Sequence, residues 1–213
     1  MRRAVFIDAL GTLLRLEPPW EAIDPAAVAG LPAARVRAAF AAEIAYYRDH
    51  SDEGSDRERL AELRTRCAAI LSRELGREIA VATMMAAIRF TPFADAAPAL
   101  RELRGRGLRL ICVSNWDCSL PEVLERTGLA PLLDGVVASA TAGARKPEGA
   151  IFGPALELAG CGPHEALHVG DSDVDVEAAE AAGIAVLRID RTGGAADGIA
   201  SLAEIRDHLA PRR

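Results

Sequence analysis

Five short apolar runs punctuate the chain, and their spacing constrains the fold more than any other feature. They are "AVFID" at 4–8, "LRLICV" at 108–113, "LDGVVA" at 133–138, "ALHV" at 166–169 and "IAVLRI" at 184–189. Each is rich in Val, Ile or Leu, and several end in glycine or a polar residue. Helical patterns lie between them: Leu100 and Leu103 lead into the second run, and Leu120, Val123 and Leu124 precede the third. Strands that are apolar along their length and alternate with helices belong to a parallel sheet covered on both faces. The expectation is an α/β fold with a Rossmann-like, doubly wound parallel sheet at its core.

About a hundred residues separate the first two runs, far more than a crossover helix needs. The extra segment, 16–91, is rich in Ala, Arg and Glu. Apolar residues recur in it at helical spacing: Val36, Phe40, Ile44 and Tyr47, then Leu60, Leu63, Cys67 and Ile70. Pro18-Pro19 opens it and Pro92 closes it. The spacing predicts an all-helical cap over 16–91, inserted into a core formed by 1–15 and 92–213.

Composition excludes several classes of function. Half of the 213 residues are hydrophobic and only 4% are aromatic, so the core is aliphatic. A net charge of −6, with no basic block beyond Arg2-Arg3 and Arg212-Arg213, argues against a nucleic-acid partner. Cys67, Cys112, Cys118 and Cys161 are scattered and read as reduced thiols. In "MRRAVFIDALGTLL" Asp8 interrupts the apolar stretch of a would-be signal peptide, and no uncharged run reaches membrane-spanning length. These features predict a soluble cytoplasmic protein with no membrane partner.

Ligands of open parallel sheets bind outside the carboxyl ends of the strands. The residues after each predicted strand are therefore the candidates. Asp8 and "ALGT" follow the first, "SNWD" with Ser114 and Asn115 the second. "TAGARKPEGAIF" with Lys146 lies beyond the third, and "GDSDVD" with Asp171 and Asp175 follows the fourth. This set suits transfer of an anionic group through a carboxylate nucleophile. Asp8 would attack, Ser114 and nearby backbone N–H groups would hold phosphoryl oxygens, and Lys146 would offset accumulating negative charge. Asp171, with or without Asp175, would hold a hard cation such as Mg²⁺.

The arrangement resembles the haloacid dehalogenase superfamily of hydrolases along nearly the whole chain. "DALGTL", "VSN", "RKPEGAIF" and "HVGDSDVD" match its four motifs in order, and 16–91 lies where its helical cap inserts. The resemblance implies Asp8 as nucleophile and Mg²⁺ ligand, with the backbone carbonyl of Leu10 as a further ligand. It makes Ser114 and Lys146 binders of the transferred group, Asp171 a metal ligand, and Asp175 a ligand or its supporter. Asn115, Gly11 and Thr12 join the substrate-binding set. The implied partner is a small phosphorylated molecule.

Position 10 departs from the pattern. Most phosphatases of the family carry a second Asp two residues after the nucleophile, which protonates the leaving alkoxide and then activates water. Leu10 does neither, and a missing general acid–base costs about 10²–10⁴ in rate. Three readings follow: a phosphatase whose leaving group needs little protonation or whose proton comes from the cap or substrate, a dehalogenase-type hydrolase, and a weak or silent binding protein. The retained "GDSDVD" acids favour metal-dependent phosphoryl chemistry.

Within the cap, Glu43, Tyr46 and His50 stand at i, i+3 and i+7, so they share a helix face. That face is the candidate specificity surface, and Glu43 or His50 the candidate proton source; the alternative is a solvated face. "HEALH" at 164–168 matches a zinc signature, but the strand begins too soon for both histidines to share a helix. Asp173 reads as an acid decorating a helix's first turn.

Overall fold

Each apolar run forms a strand. In the computed structural model, which describes residues 1–193 and 198–209, β1 (Ala4–Ile7) is central and fully buried. The chain then forms β2 (Leu14–Leu16) and four helices: α1 (Pro19–Ala22), α2 (Ala33–His50), α3 (Arg57–Leu75) and α4 (Val81–Ala87). It returns through β3 (Phe90–Pro92) to α5 (Ala96–Gly105), β4 (Arg109–Ser114), α6 (Leu120–Arg126) and β5 (Gly135–Ala138). After α7 (Ser139–Ala142) and α8 (Phe152–Ala159) come β6 (Ala166–Gly170), α9 (Asp173–Ala181) and β7 (Ala185–Arg188). The Arg212-Arg213 pair lies outside the described residues.

The five long-spaced strands make one parallel sheet in the order β5-β4-β1-β6-β7. The order reverses at β1, whose Phe6 pairs with Ile111 on one side and His168 on the other. Strand periodicity divides β1 between two cores. Val5 and Ile7 pack with Leu100, Leu103, Leu120 and Val123 of α5 and α6. Ala4 and Phe6 pack with Phe152, Ala155 and Ala178 of α8 and α9. Helices therefore cover both faces, and every parallel strand opens its carboxyl end at the same edge.

The helices between β2 and β3 bury a third cluster of their own, with Phe40 on α2, Leu63 and Leu71 on α3 and Met84 on α4 fully or almost fully enclosed. Sequence patterning gave no hint of β2 and β3. They pair antiparallel, Leu14 with Pro92 and Leu16 with Phe90, so the chain leaves for the helices and returns at one place. Further polar ties join helices and core: Tyr47 Oη donates to Asp117 Oδ2 at 2.8 Å, and Asp52 pairs with Arg145 at 2.9 Å and accepts from Ser139. Among the described residues no helix is long and apolar enough to cross a membrane.

Candidate active site

The carboxyl ends of β1, β4 and β6 bring four chain segments together. Asp8 follows Ile7 directly, and its amide donates to Val169 of β6 at 2.9 Å. Ser114 ends β4, and its hydroxyl donates to Asp8 Oδ1 at 2.9 Å. Lys146 arrives from the loop after β5 and α7, and its Nζ lies 2.6 Å from the same Oδ1. Both donors on one oxygen fix the orientation of the Asp8 carboxylate.

Lys146 is held on every side. Its ammonium also donates to Asp175 Oδ1 and to the Val113 carbonyl at 3.1 Å. Its backbone is clasped by Asn115, whose Oδ1 accepts from the Lys146 amide at 2.8 Å and whose Nδ2 donates to the Lys146 carbonyl at 2.9 Å. The Lys146–Pro147 peptide is cis. Asn115 thus borders the cleft, yet its side chain is consumed in positioning the lysine loop rather than left for substrate.

Asp175 sits in the first turn of α9, where its Oδ2 accepts from the Ser172 amide and hydroxyl. Its Oδ1 also meets Nε2 of His168 at 2.9 Å. His168 is fully buried on β6 and packs edge-on against Phe152. Sequence reasoning missed its part, because a histidine inside an apolar run carries no marker of what lies beside it. The "HEALH" match dissolves: 163–165 form a short 3₁₀ turn, and His168 belongs to the strand. Asp173 is exposed and pairs with Arg188 on the surface.

Charge inside the site is distributed unevenly. Burial pushes Asp8 up to about 6 despite Lys146. Burial also works against an ionised Asp175, but the hydrogen bond from His168 and the Lys146 charge outweigh it and hold that carboxyl well below the usual range. For Lys146, burial alone would favour the neutral amine; Asp8 and Asp175 reverse this and raise it. Burial, then Asp175, raises Asp171. The ammonium is thus clamped between two carboxylates inside the protein.

Asp171 completes the acidic face. Oxygens of Asp8, Asp171 and Asp175 lie within 4.8 Å of one another. Gly11 is pressed against Asp171: a Cβ there would fall 2.1 Å from its Oδ2, and the backbone has φ +91°, so this turn admits only glycine. Thr12 corrects the sequence expectation. It is fully buried, its hydroxyl has no partner among the described residues, and it does not border the cleft. Leu10 does border the cleft, while also packing on the core.

Between this edge and the helices lies a cavity of about 1190 Å³. The face of α2 turned to it passes through Glu43, Ile44, Tyr47 and Arg48. Tyr46 and His50 are therefore a second correction. Their rings stack on each other at 4.0 Å, and His50 Nδ1 lies 2.7 Å from the Tyr46 carbonyl, away from the cleft. Tyr47, placed on the apolar side from sequence, packs against the helical core and also reaches Asp117 across the cleft. Met84, Met85, Ile88, Phe90 and Trp116 make much of the remaining wall apolar.

The family model of haloacid dehalogenase-like hydrolases matches residues 2–183. The chain belongs to the haloacid dehalogenase-like hydrolases. Within this family it is 43% identical over 90 residues to haloacid dehalogenase-like hydrolase domain-containing protein 3 of Bos taurus, a match covering 42% of this chain and 36% of that protein. It is 33% identical over 125 residues to Phosphatase MT3486 of Mycobacterium tuberculosis, covering 56% and 58%. The matches thus span about a third to three fifths of these relatives. The fold matches L-2-haloacid dehalogenase from Xanthobacter autotrophicus with a TM-score of 0.73 and 22% identity, over 98% of both chains.

Proposed function

We propose that this haloacid dehalogenase-like hydrolase cleaves a small phosphorylated metabolite in a Mg²⁺-dependent reaction that places the phosphoryl group transiently on Asp8. The observation that carries this reading is the Asp8 carboxylate held by Lys146 and Ser114 with Asp171 beside it. Likeness to a relative named as a phosphatase, at 33% identity, supports it.

The three acids offer hard oxygen donors, which suit Mg²⁺. Asp175 has both oxygens engaged by Lys146, His168 and Ser172, so Asp8 and Asp171 would hold the ion, joined by the Leu10 carbonyl. When bound, Mg²⁺ supplies positive charge that offsets repulsion between carboxylate and phosphate. A carboxylate oxygen of Asp8 attacks phosphorus, the bond from phosphorus to the leaving oxygen breaks, and the leaving group takes up a proton. Water then attacks the same phosphorus, phosphate leaves, and the Asp8 carboxylate is restored. Lys146 and Ser114 hold the oxygens on which charge accumulates. Asp175, His168 and Asn115 act through Lys146 and position it.

Leu10 favours a second reading, displacement of halide, since halide leaves without a proton. The resemblance to a solved dehalogenase speaks for the fold alone. One assay separates the readings. With Mg²⁺ and an aryl phosphate, the wild type is expected to release phosphate, chelator to stop it, and Asp8→Asn to lower it at least about 10³-fold. Halide from 2-chloropropionate without metal, and no phosphate, would establish the dehalogenase reading; neither product would leave a binding protein. Leu10→Asp is expected to raise turnover of alkyl phosphates about 10²-fold by supplying the acid–base group. An unchanged rate would show that another group already moves that proton.

A further inference from the structure

Glu43 stands in the middle of α2, only 4% exposed, and borders the same cavity as Asp8. Its Oε2 meets no hydrogen-bond donor among the described residues. The side chain that bears on it is the thiol of Cys67 on α3, itself kept protonated: burial, with Glu43 beside it, pushes the thiol up to about 12. Around them the helices bury Phe40, Leu63 and Met84. The Cys67 thiol hydrogen-bonds this carboxyl, yet Oε2 stays unmet, and an enclosed unmet oxygen is unfavourable for folding. A leucine would pack there at no such penalty.

The apolar surroundings of the cleft sharpen the point. Met84, Met85 and Ile88 accept the carbon skeleton of a ligand but offer its polar groups nothing. In the proposed reaction Ser114 and Lys146 would hold the phosphoryl group at the sheet edge, on the opposite wall from the α2 face. A ligand that spans from one wall to the other meets the Glu43 carboxyl there, in a lining that also carries Arg48, Arg64 and Arg89. That carboxyl accepts a hydrogen bond whether ionised or neutral.

We infer that Glu43 is a specificity-determining residue which accepts a hydrogen bond from an ammonium or hydroxyl group on the organic body of the substrate, remote from the phosphoryl group. The inference rests on the proposed phosphatase reading and adds a substrate class to it: phosphate esters whose leaving alcohol carries a second, donor-bearing group. Burial raises the Glu43 carboxyl above the usual range, which suits an acid waiting for a partner.

The test reads binding rather than turnover, so its failure is distinct from failure of the phosphatase reading. Alkyl phosphonates of two to six carbons are titrated calorimetrically into the wild-type protein with Mg²⁺, bearing an ω-amino group, an ω-hydroxyl group or neither. At the length that spans the cleft, one or both donor-bearing ligands are expected to bind about 10- to 100-fold more tightly than the unsubstituted one. Glu43→Leu is expected to abolish the preference, and Glu43→Gln to retain it for the hydroxyl arm while losing it for the amino arm. The two arms tell ammonium from hydroxyl. Equal affinities at every length, or a preference that survives in Glu43→Leu, would overturn the assignment alone, whereas no phosphonate binding would overturn it together with the phosphatase reading. A purely structural Glu43 would leave the preference in place in every variant, whatever the melting temperature does.

Discussion

Two buried acids, one on each wall of the cleft, are treated in opposite ways. At the sheet edge Asp175 is surrounded by Lys146, His168 and Ser172, and both its oxygens are satisfied. On the helical wall Glu43 is as well enclosed, yet one oxygen has no partner. The sheet edge is a pre-organised charge cage, rigid because each group fixes another. The helical wall leaves its polar capacity open. The lesson is that the two walls handle buried charge separately; if the proposed roles hold, the helical wall can change its selectivity without disturbing the charge cage.

The comparison breaks most visibly at Lys146. Lys146→Met removes the cation shared by Asp8 and Asp175 and leaves buried carboxylates uncompensated. The expected loss is about 3–5 kcal/mol in urea unfolding; a loss below about 1 kcal/mol would mean that the cage is not rigid in solution.

A pH series sharpens the same contrast. Asp8 titrates at about 6 in the folded chain, above its unfolded value. A raised carboxyl binds its proton more tightly when folded, so metal-free wild type should lose stability relative to Asp8→Asn as pH rises from about 4 to about 6, by up to about 3 kcal/mol. Asp175 has the opposite sign: its folded value is depressed, so its contribution is present above about 4 and fades as pH falls below that. Unfolding curves in chelator check both, and a flat difference between wild type and Asp8→Asn from 4 to 6 would contradict the burial of Asp8.

The smallest effect belongs to the helical wall. Glu43→Leu is expected to stabilise the protein by about 1 kcal/mol at neutral pH, since it removes an enclosed and incompletely paired acid. A destabilised variant, measured in the same urea series, would reveal an unseen partner and erase the contrast between the walls.

The sheet was legible because parallel strands buried on both faces must be apolar along their length, as "AVFI" and "RLICV" are. The candidate site was legible for the same reason: parallel strands bring the residues after them to one side, so Asp8, Ser114 and Asp171 converge once the strands are found. The ribbon of β2 and β3 escaped notice because each strand has three residues of mixed character. The turn of α2 also misled. In "AAEIAYYRDH" alanines flank the informative residues, so the helix has little amphipathic bias, and Tyr46 and Tyr47 compete for one direction. Tertiary contacts decided it: Tyr47 finds Asp117, and Tyr46 finds His50. His168 needed the fold itself, because its partner Asp175 comes from the following helix.

The ribbon joining the two parts has an architectural consequence. Adjacent strands lie about 4.8 Å apart, so the outgoing and returning chains at Leu16 and Phe90 are neighbours. To the sheet, everything between them is a single surface excursion, no more demanding than a hairpin loop. Helical segments of other lengths and sequences could be grafted between the same two residues without changing strand order or register. A scaffold built this way can exchange its helical excursion in one recombination event and keep its parallel sheet intact, at the cost of the ties from Tyr47 and Asp52.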